Sequence, residues 1–232
     1  MFSICHSKHV VDYFDETDKL FFLTHGVNTD FFTYREHKGE HSLLMIANNG
    51  IAGDSTIDRK GFRYAIEAAK QLDLPITIAG PANNHSFFDG HSDLIMYDKL
   101  KLRCNNPTDD EILELYHTHS VFMAPSMLQY GHPNLSLLES VSCGLPIVGT
   151  CNNAPVGMLT CGLSTEHVLK NLNIVLANHN YLREKQLEKR EQYSWANVCI
   201  QLKKMYEAAE IVNYKWTDKD TTKAYLDSYV RV

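Results

Sequence analysis

Pro125-Ser126, then Gly131-His132-Pro133-Asn134-Leu135-Ser136-Leu137-Leu138-Glu139, closing on Cys143-Gly144-Leu145-Pro146-Ile147-Val148, is the stretch whose reading decides the fold. It reads as the end of a buried strand, a polar loop, a helix and a second buried strand. Pro133 and Asn134 suit a helix start, because proline lacks the N–H that would be orphaned there and asparagine can cap. The helix end then aims free N–H groups and a partial positive charge into the loop, which makes an anion site. Glu139 falls about a turn and a half into the helix, where a carboxylate can reach a sugar hydroxyl. An acidic group beside a phosphate-ready helix end suggests recognition of a nucleotide-sugar.

Outward from this stretch, apolar runs and helical periodicities alternate. Residues 42–47 form a continuous apolar run stopped by Asn48-Asn49-Gly50, as a buried strand would be. Phe62, Ala65, Ile66, Ala69 and Leu72 recur at three- and four-residue steps, which predicts a helix from about Lys60. Residues 75–79 read as the next strand, 82–92 as loop, and 94–97 and 100–103 as short strands. Thr108 with Glu111 forms a capping-box pattern for a helix to about His117. Residues 121–124 and 146–150 are further strands, the second being the last clear one. Helices are then expected from Ser164 to Leu176, over 181–192 and over 195–211. Near the start, residues 3–14 read as a strand end and a helix from Ser7 to Phe14, and residues 21–23 as a strand. Strands alternating with helices imply an α/β fold: a doubly wound parallel sheet, covered on both faces, in a Rossmann-like domain.

The bulk composition excludes several classes. With 232 residues, of which 44% are hydrophobic, the chain can build a sizeable core. The net charge of −6 gives no general attraction to nucleic acid or anionic membrane. No apolar run approaches the roughly 18 residues of a membrane span. The start lacks a basic region followed by an apolar stretch, so no signal peptide is expected. The six cysteines show no C-x-x-C spacing and lie mainly among apolar residues, as reduced core thiols do, which points to a cytoplasmic setting. His117-Thr118-His119 offers two ligand nitrogens, but no carboxylate or cysteine completes a metal set beside them. No metal site is expected: no Asp-x-Asp pair stands at a strand end, and Asp109-Asp110 fits the first turn of a helix.

These residues carry a resemblance. The chain resembles the C-terminal, donor-binding half of the retaining GT-B glycosyltransferases of family four, the glycosyl transferases group 1. Gly26-Val27-Asn28 is similar to the family's linker into the second domain, and Arg59-Lys60-Gly61 to its basic phosphate motif. Ile78-Ala79-Gly80-Pro81, residues 116–126, residues 131–148 and Tyr193-Ser194-Trp195 stand in the family's order. The likeness covers roughly residues 20–210, and ordered motifs are far more specific than any one alone.

The resemblance implies a transferase that moves a sugar from a nucleotide-sugar donor with retention of configuration. The donor is a nucleotide-diphosphate sugar acting as substrate, and no cofactor is implied. Lys60 and Arg59 would neutralise the diphosphate as the glycosidic bond breaks. Alone, Lys60 reads as a solvated lysine at a helix start; taken with the ordered motifs, it is assigned the functional role. Glu139 would hold the ribose hydroxyls, against the plainer reading of a helix-surface glutamate; its neighbours Leu137, Leu138 and Val141 place it near a buried face. Gly131, His132, Pro133, Asn134 and Leu135 would line the phosphate loop. Asn49 stands where the family often has an upstream arginine and is assigned to the donor. Gln129 stands where relatives commonly carry the motif's first glutamate. It can bond sugar hydroxyls but brings no charge.

By this resemblance, little of the family's N-terminal acceptor domain is expected in these residues. Residues 1–33 are expected to be its remnant and linker, 34–192 the nucleotide-sugar domain, and 193–232 a closing helix and tail. The resemblance therefore implies a partner chain or a further N-terminal domain, and an unidentified acceptor. The alternative is a non-catalytic nucleotide-sugar-binding or partner subunit of a split glycosyltransferase. A dinucleotide-binding protein would need Gly-x-Gly-x-x-Gly, of which residues 48–53 give only part. An epimerase on the same scaffold would need acid/base groups that the sequence does not place. Tyr193, Trp195, Tyr206, Tyr214 and Trp216 read as helix packing, with an apolar strip left exposed where the first domain would sit.

Overall fold

The computed structural model describes residues 3–5, 20–37, 39–49, 57–127, 133–151 and 153–214. Its main sheet contains β3 (Leu43–Ile46), β4 (Ile76–Ala79), β5 (Leu100–Arg103), β6 (Val121–Ala124), β7 (Ile147–Gly149) and β8 (Met158–Thr160). All neighbouring pairs are parallel, in the order β5-β4-β3-β6-β7-β8. The chain enters at the middle, winds out to β5, then returns beside β3 and winds the other way. A separate parallel pair joins β1 (Ser3–Cys5) to β2 (Leu20–Phe22).

Alternation along the central strands builds two cores. Leu43, Met45, Val121 and Met123 face one side and pack with Phe62 and Ile66 of α1 (Phe62–Leu72) and with Val168 and Leu172 of the helix Thr165–Ala177. Leu44, Phe122 and Ala124 face the other side. They meet Tyr116 of the helix Asp109–Thr118 and Leu137 and Val141 of the helix Leu135–Ser142. Each large apolar side chain so buried contributes about 1.5–3 kcal/mol. Helices on both faces of an all-parallel sheet give the expected doubly wound, Rossmann-like architecture.

The remaining helices, in chain order, are α2 (His85–Asp89), α3 (Ser92–Ile95), α4 (Asp109–Thr118), α5 (Leu135–Ser142), α6 (Thr165–Ala177), α7 (His179–Lys189) and α8 (Trp195–Tyr214). The Thr108–Glu111 capping box forms as the sequence predicts. Ser164 caps α6 by accepting from the His167 N–H at 3.2 Å.

Three expectations change. Residues 82–92 are not loop: a 3-10 turn over Ala82–Asn84 leads into α2, because Phe87 and Phe88 bury themselves against Phe62 at ring distances of 5.2 Å. Residues 94–97 are not a strand. Leu94 is buried while Ile95 and Met96 are exposed, so the backbone takes a helical turn in α3, and the Tyr97 hydroxyl donates to the Leu74 carbonyl at 2.7 Å. Residues 146–150 are not the last strand, since β8 pairs with β7 at the edge. The helix expected over 7–14 lies outside the described residues.

His117 and His119 hydrogen-bond within the fold. His117 Nε2 donates to the Thr33 carbonyl at 2.7 Å. His119 Nδ1 donates to the Leu115 carbonyl at 2.8 Å, and its Nε2 lies 2.8 Å from Thr77 Oγ1. Val27 is tied to the start of α8: its N–H donates to the Tyr193 carbonyl at 2.8 Å, and its carbonyl accepts from the Trp195 N–H at 3.1 Å. Tyr193 is half-buried, whereas Trp195 is 51% and Tyr206 59% exposed. Of the terminal aromatics, these two therefore leave half or more of their surface uncovered, and Trp216 lies outside the described residues.

Candidate functional site

Reversal of winding between β3 and β6 sends their exit loops apart and opens a crevice at the carboxyl ends of the strands. A cavity of about 690 Å³ occupies it, with Ala47, Met123 and Ala124 from the strand ends in its lining. Lys60 lines it from the loop before α1, and Asn134, Leu135, Ser136 and Glu139 line it from α5.

Two distant motifs meet here. Ser126 Oγ donates to the Arg59 carbonyl at 3.1 Å, and the Met127 N–H to the same carbonyl at 2.8 Å. Gly61 permits the approach. It holds φ +76°, and a Cβ placed on it would lie 2.0 Å from the Pro125 carbonyl oxygen. Asp58 anchors the first turn of α1. Its carboxylate accepts from the N–H groups of Gly61 (2.7 Å), Phe62 (2.8 Å) and Arg63 (2.8 Å). That helix end is thereby filled by the protein's own anion.

The α5 terminus is different. Asn134 caps it as expected, with Oδ1 accepting from the Leu137 N–H at 3.1 Å and from Ser136 Oγ at 2.9 Å. The Leu135 and Ser136 N–H groups have no partner among the described residues. They stand at the positive end of the helix dipole, where an anion is favoured.

Lys60 makes no hydrogen bond or ion pair among the described residues. Burial, and then the Arg59 charge, lower its pKa from 10.5, so the site holds an ammonium short of negative partners. Glu139 lies in α5, half-buried. Burial raises its pKa from 4.5, Asp109 adds to this, and a hydrogen bond from Tyr116 opposes it. The Tyr116 hydroxyl is 2.9 Å from Glu139 Oε2 and 3.0 Å from the Ser136 carbonyl.

Of the residues predicted from sequence, Lys60, Asn134, Leu135 and Glu139 come together in one cavity. Asn49 and Arg59 do not line it. Asn49 is fully buried. Its N–H donates to Asn84 Oδ1 (2.9 Å), its Nδ2 to the Ile57 carbonyl (2.8 Å), and its Oδ1 accepts from the Arg59 N–H (3.1 Å). The Arg59 guanidinium donates to the Asn49 carbonyl. These two residues bond to each other just before Lys60, and Asn48 takes the lining position instead. Pro133 is buried outside the lining. Gln129, Gly131 and His132 lie outside the described residues.

Sequence reasoning missed Asn48, Asn106, Pro107 and Ile112, which extend the cavity toward β5 and α4. Asn106 holds φ +55° with no glycine to signal it. The Asp58 cap has a local signature, an acid four residues before the first residue of α1. The Tyr116–Glu139 contact spans 23 positions and has no local signature.

The strand order and the cavity at the switch point are those of a doubly wound, Rossmann-like domain. The glycosyltransferase of Rickettsia africae ESF-5 matches with a TM-score of 0.67 at 14% identity, covering 88% of this chain and 62% of that one. Anabaena HepE, solved in complex with UDP and glucose, matches at 0.69 and 11%, covering 89% and 63%. A probable sucrose-phosphate synthase of Thermosipho melanesiensis is 21% identical over 235 residues, covering 92% of this chain and 53% of that relative. The chain thus spans about half the length of that curated relative and under two thirds of the two solved chains. The family model of the glycosyl transferases group 1 matches residues 50–200, well over half of the chain, and the chain belongs to that family. No helix among the described residues is long and apolar enough to cross a membrane.

Proposed function

We propose that the chain is the donor half of a glycosyltransferase that transfers a sugar, with retention, from a nucleoside diphosphate. One observation carries the reading: Lys60, the uncapped N–H groups at the α5 start and Glu139 share one cavity. The diphosphate sits against the Leu135 and Ser136 N–H groups, and Glu139 accepts from the ribose hydroxyls. The base extends toward Pro107 and Ile112. As the glycosidic bond breaks, charge grows on the diphosphate, and Lys60 with the helix end stabilises it where it develops. Gln129 is assigned to the transferred sugar, and Gly131 and His132 to the phosphate loop. Solved structural neighbours with UDP and with ADP support a nucleotide ligand. The acceptor belongs to a second domain or partner chain, in keeping with the share of its relatives that this chain spans.

Thermal shift with UDP, GDP and ADP, each against its nucleoside, tests this reading. The diphosphates are expected to stabilise the protein and the nucleosides to do so far less. Lys60→Ala is expected to remove most of the difference. Equal response to nucleoside and diphosphate would refute the phosphate assignment. A second reading is a nucleotide-sugar-binding subunit without chemistry of its own, favoured by the uncharged Gln129 at the motif's first position. Donor hydrolysis or transfer, with and without a candidate partner, separates the two.

A further inference from the structure

We propose that Tyr116 is a positioning residue for nucleotide binding: its hydroxyl clamps Glu139 Oε2 and leaves Oε1 to the ligand. This rests on the reading of Glu139 as the ribose-binding group. Tyr116 is fully buried, its ring 5.9 Å from Phe32 and 5.8 Å from Phe122. Its hydroxyl lies between two acceptors on α5, Glu139 Oε2 at 2.9 Å and the Ser136 carbonyl at 3.0 Å. The hydroxyl has one proton. With Glu139 ionised, the charge-assisted bond to the carboxylate is the stronger, and the proton points there. With Glu139 protonated, the proton turns to Ser136. Glu139 Oε1 has no partner among the described residues, so one carboxylate oxygen is held by the fold and the other stays open. The phenol stays a donor, because burial and the Glu139 charge push its pKa well above 10. Among the described residues, the other titratable groups around the carboxylate are Asp109 on α4, Cys143 just beyond α5, Arg190 beside Cys143, and Lys60 and His25 in the lining of the same cavity.

Tyr116→Phe keeps the ring and deletes the clamp. Calorimetry with UDP, and with ADP and GDP in parallel, reads the effect in four proteins: unaltered, Tyr116→Phe, Glu139→Gln and the double variant. Tyr116→Phe is expected to weaken the bound diphosphate roughly tenfold, the scale of a lost hydrogen bond to a charged group. In the Glu139→Gln background the same change is expected to cost less than twofold. Carbon-13 NMR titration of the Glu139 carboxyl, without ligand, is expected to show its midpoint rise in Tyr116→Phe. An unmoved midpoint, or a Tyr116→Phe affinity within twofold while Glu139→Gln is impaired, overturns the clamp and leaves the role of Glu139 standing. Unchanged affinity in Glu139→Gln, or no binding of any diphosphate to the unaltered protein, overturns the ribose assignment and the clamp with it.

Discussion

Gly61→Ala is the sharpest perturbation of the site's construction. Gly61 lies between Lys60 and the first turn of α1, in the left-handed region at φ +76°. An alanine there costs about 1–2 kcal/mol for backbone handedness alone. Its Cβ would also meet the Pro125 carbonyl oxygen at 2.0 Å and the Pro125 carbonyl carbon at 2.9 Å. Backbone atoms cannot swing aside like a side-chain tip, so the loop before α1 must retreat from the end of β6. Overpacking of this kind typically costs a further 1–3 kcal/mol. The sum is about 3 kcal/mol, which in a chain of this size lowers Tm by roughly 6–12 °C. The retreat also carries Lys60 away from α5, so diphosphate affinity falls by more than the stability loss explains. Gly90→Ala is the control: its Cβ would meet no atom closer than 3.6 Å, so its stability should stay within about 0.5 kcal/mol. Urea denaturation and calorimetry with UDP read both quantities. A Gly61→Ala protein as stable as Gly90→Ala, with unchanged UDP affinity, would refute the convergence of the two loops.

Asp58→Ala removes the acceptor of three helix N–H groups and should destabilise by about 1–2 kcal/mol in urea denaturation; a loss below about 0.3 kcal/mol would show that water replaces it freely. Affinity for a nucleoside-diphosphate sugar, which lacks the titrating terminal phosphate, should be bell-shaped in pH. Its acid limb should lie above 4.5, because the raised Glu139 loses its charge there, and its alkaline limb below 10.5, because the depressed Lys60 loses its charge there; Lys60→Arg should move only the alkaline limb upward. Glu139→Gln should bind diphosphates at least about tenfold more weakly without lowering Tm at pH 7. The folded state binds the Glu139 proton more tightly than the unfolded chain, so this group's contribution to stability falls as pH rises above 4.5, and the amide removes that cost. A large drop in Tm at pH 7 would contradict this sign.

The central strands were legible because they are buried on both faces, so that residues 43–46 and 121–124 read as uninterrupted apolar runs. The helix starts at Asn134, Thr108 and Ser164 were legible because a cap is a local contact over three residues. Met158–Thr160 carries too short an apolar run to announce an edge strand, and its pairing with β7 is a tertiary contact. Residues 94–97 were misread as a strand because their apolar residues are contiguous, while Leu94 and Tyr97 are buried and Ile95 and Met96 between them are exposed, a helical spacing. Of the residues singled out from sequence, Lys60, Asn134, Leu135 and Glu139 line the cavity, while Asn48 lines it in place of its neighbour Asn49. Adjacent asparagines differ only in which side chain turns inward, and the buried partner Asn84 that draws Asn49 in stands 35 residues away. The pairing of Tyr116 with Glu139 likewise depends on α4 and α5 packing side by side on one face of the sheet.

A crystal of the protein grown with UDP tests the central claim most directly. The account predicts phosphate oxygens within about 3 Å of the Leu135 and Ser136 nitrogens, the Lys60 ammonium turned to the same phosphates, and Glu139 on the ribose with Tyr116 still behind it. Diphosphate density at the start of α1, or anywhere away from α5, would contradict it.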